Sequence, residues 1–112
     1  MSHMMVTYPT NVSVAKSGGF SGGTVSKIEI RMDSQGKESK DKWNAFTNGA
    51  EFYNIKKGQT LVIGDSNIRD GYSYSITADS RTISVDDYHE NTTIKDRAYY
   101  AITFAKWALR EE

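Results

Sequence analysis

Within residues 43–55, the dipeptide Asn48-Gly49 separates two runs rich in aromatic residues, and no other local signal restricts the fold as much. Both central positions of a type I′ turn need positive φ, which asparagine and glycine tolerate, so the dipeptide predicts a two-residue β-hairpin. The register follows: Thr47 opposes Ala50, Ala45 opposes Phe52, and Asn44 opposes Tyr53. Trp43, Ala45, Thr47, Ala50 and Phe52 then share one face, and Phe46, Tyr53 and Ile55 the other. One face is expected to pack on the core, and the other to meet a second layer, a subunit or a ligand.

The rest of the chain supports strands. Nine isoleucines and six valines stand against two leucines, and ten threonines and seven tyrosines add to the β-branched and aromatic total. Residues 24–33 alternate cleanly, with Ser26, Ile28, Ile30 and Met32 opposite Lys27, Glu29 and Arg31. Tyr72, Tyr74, Ile76 and Ala78 alternate with Ser73, Ser75 and Thr77, and Asp79-Ser80 turns this strand into residues 81–85. Leu61 and Ile63 oppose Val62 in a further short strand. Residues 5–8 and 12–15, broken by Pro9, read as an edge strand, and residues 37–42 as a charged, solvated loop. Residues 97–109 fit either period. At period 3.6 Tyr100, Phe104 and Trp107 align, whereas at period 2 Tyr100, Ile102 and Phe104 face the core and Tyr99 and Trp107 the other side. Among so many strands, a strand is the expectation here too. The predicted architecture is an all-β antiparallel β-sandwich of about seven to eight short strands, with a closed β-barrel or a sandwich with a C-terminal helix as alternatives.

At 112 residues the chain is expected to form one domain over residues 5–112, with Met1-Ser2-His3-Met4 reading as a cloning scar. Fourteen basic and fourteen acidic residues balance to zero formal charge, which argues against a nucleic-acid surface and permits self-association. The absence of cysteine excludes disulfides and thiol chemistry. No apolar run approaches the roughly 20 residues of a membrane-spanning helix and no signal peptide is evident, so a soluble chain is expected.

The chemical motifs are incomplete. Gly18 and Gly23 have phosphate-loop spacing, but Thr24 stands where lysine is needed. Asp65 and Asn67 open like a calcium loop, but Arg69 occupies a position that should supply oxygen and Gly71 comes one residue late. His89 lies among Asp86, Asp87 and Glu90, yet one histidine falls short of a catalytic zinc set, and no nucleophile elbow is present. The sequons Asn11-Val12-Ser13 and Asn91-Thr92-Thr93 matter only in a eukaryotic secretory setting. Binding without catalysis, metal or cofactor is therefore the expectation.

A lectin-like carbohydrate-binding module is the first functional expectation. Planar amides and carboxylates bond sugar hydroxyls, and aromatic faces cover the apolar side of a pyranose. Trp43, Asn44, Asn48, Asp65, Asn67, Asp70 and Tyr72 supply those groups at expected strand ends and loops, for a glycan or cell-surface ligand. The second expectation is a homo-oligomeric membrane- or protein-binding subunit of toxin or adhesion type. Phe20 would make a peripheral membrane or partner contact, and Tyr99 and Trp107 would flank an interface strip.

Overall fold

The computed structural model describes residues 8–19, 23–64, 71–86 and 97–111. They form a five-stranded mixed sheet with two helices. The strands are β1 (Val12–Gly18), β2 (Thr24–Ile30), β3 (Thr60–Ile63), β4 (Tyr72–Ala78) and β5 (Arg81–Asp86); the helices are α1 (Lys37–Gly49) and α2 (Arg97–Ala108). The sheet order is β2-β1-β4-β5-β3, so β2 and β3 are its edges. All neighbours are antiparallel except β3 and β5.

Alternation along the strands separates the two faces of the sheet. Val12, Val14, Tyr74, Ile76, Ala78, Ile83 and Val85 are buried on the inner face. Their strand neighbours Ser13, Ala15, Ser75, Thr77, Thr82 and Ser84 pair across β1, β4 and β5 on the outer face. The hydroxyls of Thr77 and Thr82 lie 2.9 Å apart there. On the inner side α2 packs against β4, β5 and β1, and α1 packs alongside α2. The Asp79-Ser80 turn has positive φ at both central residues, 51° and 62°, as a two-residue hairpin requires.

The all-β sandwich expected from the sequence is thus overturned: this is an α+β arrangement in which helices, not a second sheet, cover the inner face. Two segments account for the difference. Residues 37–49, expected as a charged loop and the first arm of a hairpin, form one helix. Its solvated start carries the i,i+4 pair Lys37–Asp41 at 2.7 Å, while Trp43, Phe46 and Ala50 fall three and four residues apart on its buried side. Asn48 and Gly49 are its last residues, and the left-handed turn is taken at Glu51, φ 54°. Phe52–Asn54 then forms a short 3₁₀ turn that returns Phe52 to the core.

The second segment is α2, expected as a strand. Ala98, Ala101, Ile102, Ala105 and Ala108 are all buried, an i, i+3/i+4, i+7 stripe whose four alanines let the helix lie close to its neighbours. Arg97 fastens its start to the end of α1: Nε donates to the Ala50 carbonyl at 2.6 Å and an Nη to the Glu51 carbonyl at 3.0 Å. The Glu51 carbonyl also accepts the Asn54 N–H at 3.1 Å, and a cation beside the end of α1 suits the negative end of the helix dipole. At the far end Arg110 takes φ 61° and Glu111 N–H reaches back to the Lys106 carbonyl at 2.8 Å. That turn carries the Glu111 carboxylate to the Tyr74 hydroxyl, 2.7 Å, and to Lys16 Nζ, 3.3 Å.

Candidate functional site

Of the residues expected to bind a sugar, those that are described are dispersed. Trp43 is 2 % exposed, its ring set edge-on to Phe52 and Phe104 and tilted against Phe46, so its faces are occupied by protein. Asn44 and Asn48 lie one turn apart on α1, where Asn44 Nδ2 donates to the Tyr8 hydroxyl at 3.2 Å and Asn48 is exposed. Tyr72 begins β4 and is 38 % exposed, but Lys16 Nζ stands 4.3 Å from its ring centre and the ring lies against Gly19. Asp65, Asn67 and Asp70 fall outside the described residues, as do Phe20 and His89. Among the described residues no group of three histidine, cysteine, aspartate or glutamate side chains could hold a metal ion. None of the described helices is long and apolar enough to cross a membrane.

Because residues 97–108 are helical, Tyr99 and Trp107 do not flank a flat strip. Tyr99 is 42 % exposed and packs edge-on to Tyr100, whereas Trp107 is half-buried against Phe104 with ring centres 5.6 Å apart. The helical alignment of Tyr100, Phe104 and Trp107 replaces the interface strip.

Trp107 instead lines a groove. This groove, of about 640 Å³, runs beside β2, bounded by residues 28–31, the 3₁₀ turn Met32–Ser34 and the segment after it, the first half of α1, and the end of α2. Its volume lies in the range of ordinary ligand sites, roughly 300–1,000 Å³. Ile28, Trp107 and Ala108 supply apolar surface, while Glu29, Arg31, Glu38 and Arg110 place charges of both signs around it. Among the described residues β2 pairs only with β1, so the groove adjoins a strand whose other edge faces outward. The regular alternation of residues 24–33 marked β2 as half-buried; that it would be an edge strand was written nowhere in it, since strand order is set by how the chain returns.

Two further polar clusters are closed on themselves. Lys16, Tyr74 and Glu111 contact one another, and Lys16 Nζ also stands over the Tyr72 ring. In the second cluster, Tyr53 donates its phenolic proton to Asp79 at 2.6 Å while Arg81 spans from the Tyr53 ring to the Ile55 carbonyl, 2.5 Å. Burial first, and then the Asp79 carboxylate, pushes the Tyr53 phenol well above its ordinary value near 10, against a smaller opposing pull from Arg81. The folded protein therefore holds this proton where the unfolded chain releases it. The resulting stability is fully present below pH 10 and is lost progressively as pH rises from there toward the folded value. Denaturant titrations across this alkaline range should show a decline in midpoint that is shallower in Tyr53→Phe; equal slopes in the two proteins would contradict the linkage.

No protein-family model, no curated protein and no solved structure matches this chain. Its functional reading rests on the site.

Proposed function

We propose that this domain is a non-catalytic protein-interaction module that takes an extended polypeptide segment onto the outer edge of β2. The observation that carries this reading is the groove beside an edge strand. An added strand forms main-chain hydrogen bonds with the edge, and its alternate side chains enter the adjoining groove. Ile28 and Trp107 offer the apolar surface such side chains need, and Glu29, Arg31, Glu38 and Arg110 favour partners with charges of both signs. The glycan expectation has less support, since Trp43 is in the core and Tyr72 is held beneath Lys16.

The test is selection of extended peptides from a displayed random library, followed by NMR mapping. Selected peptides should shift and protect the backbone amides of residues 24–30, and Ile28→Asp should weaken them by about tenfold, the loss of one partly buried aliphatic contact. Peptides that bind without perturbing β2, or glycan-array hits whose shifts map to Tyr72 and Asn48, would overturn the proposal.

A further inference from the structure

We infer that the segment received by β2 is β2 of a second copy of this chain, paired antiparallel about a two-fold axis through Ile28. This inference rests on strand addition at β2 and names the partner. On the outer face of β2, Lys27 and Glu29 sit one residue either side of Ile28, opposite Ala15 and Ser13 of β1. Both side chains are more than half exposed, and they already attract each other within the strand, Nζ to Oε2 3.7 Å.

An antiparallel pair centred on Ile28 places Lys27 of each copy opposite Glu29 of the other, giving two cross-strand ion pairs related by the axis. A two-fold interface requires that kind of self-complementarity, because whatever residue i meets as j must be met by j as i. Opposite charges directly across a ladder attract, and like charges repel. Sliding the register by two residues puts Lys27 on Lys27, or Glu29 on Glu29. Sliding by one pairs outer-face with inner-face residues, so the alternation forbids it.

The inner face is compatible with the same register. Ile28 meets Ile28 across the axis beside the groove that Trp107 lines, and Ile30 lies opposite the small Ser26. Further along, exposed Val25 faces Arg31, so the ladder contains no like-charge pair. Zero formal net charge adds no overall repulsion between copies. The product is a continuous ten-stranded sheet, five strands from each copy, with all four helices on one side.

Sedimentation velocity on the whole chain and its charge variants tests this. The wild type should dimerise, more tightly at low salt. Lys27→Glu and Glu29→Lys should each weaken self-association by roughly ten- to thirty-fold, because two attractive cross-strand pairs become two repulsive ones. An equimolar mixture of the two variants should form a heterodimer of about wild-type affinity, and the double variant Lys27→Glu/Glu29→Lys should dimerise with itself. Circular dichroism and thermal melts verify that each variant is folded, and the rescue in the mixture cannot arise from misfolding. Variants that dimerise as well as wild type would overturn the register and place any interface elsewhere. A wild type monomeric at millimolar concentration would overturn self-pairing, with Lys27 then acting as a charge that guards the edge. Peptides that still shift β2 amides in that monomer would leave strand addition standing, whereas silence in both experiments would end both.

Discussion

Phe104→Ala is expected to lower the unfolding free energy by about 3–5 kcal/mol, a large share of the 5–15 kcal/mol typical of a single domain. Phe104 is the ring through which the two helices share a core. It stacks on Phe46 with centroids 5.1 Å apart and planes 22° from parallel, and it meets Trp43 and Trp107, each at 5.6 Å. Removing it leaves a cavity bounded by three rings fixed on two different helices, none of which can move in without dragging its backbone. Urea unfolding followed by tryptophan fluorescence would measure the loss, since both tryptophans contact this ring. A cost below about 1 kcal/mol would mean that the helices repack freely, contrary to the interlocked arrangement described.

Gly49→Ala is expected to destabilise the protein even though Gly49 is helical. In an open helix the change would gain about 0.8–1 kcal/mol from propensity. Here a Cβ at position 49 would overlap Cγ and both Cδ atoms of Tyr100. These are the root of the ring, so relief requires movement of α2, and overpacking of this kind costs roughly 1–3 kcal/mol or somewhat more. The sign should reverse in a Tyr100→Ala background, where only the propensity gain is left. A double-mutant cycle by denaturant unfolding reads this coupling directly. Additive effects would show that the contact between Gly49 and Tyr100 does not limit how closely the helices approach.

Gly49 also shows why the hairpin prediction failed. Asparagine and glycine occur at helix ends as well as in turns between strands, and here both stay inside α1 while Glu51 takes the left-handed turn, so the dipeptide with its flanking aromatics suited either geometry. What separates them is whether Trp43, Phe46 and Ala50 must reach one surface together. The helical spacing brings them together, and the two-residue period divides them. Residues 97–108 posed the same choice. Their buried alanines keep a helical period, but the aromatics interleaved with them mask it, because Tyr99, Tyr100 and Trp107 lie outside the fully buried stripe. The strong bias to isoleucine, valine and threonine belongs to the strands: residues 37–49 hold only Thr47 of these types and residues 97–108 only Ile102 and Thr103.

The candidate site was legible only in fragments. Lys27, Ile28 and Glu29 were visible as an alternating strand, and Trp107 stood out as an interface residue, though on the premise of a strand that the structure replaces with α2. Nothing local to residues 24–30 tells a central strand from an edge, or says that α1 and α2 will leave a groove beside it. The expected sugar-binding set drew on residue chemistry alone, and folding carried Trp43 inward while Asn44 and Asn48 moved to a helix.

The local order and the two faces of β2 and β4, and the Asp79-Ser80 turn into β5, were determined by the sequence itself, because steric alternation and positive-φ turns depend on neighbours only a few residues away, whereas β1, expected as a strand broken at Pro9 on the edge of a sheet, lies between β2 and β4. The identity of the second layer, the order β2-β1-β4-β5-β3 and the exposure of the β2 edge were decided by the tertiary structure. Each depends on which distant apolar surfaces bury one another. For residues 37–49 and 97–108 that burial outweighed local signals that strand and helix satisfied almost equally.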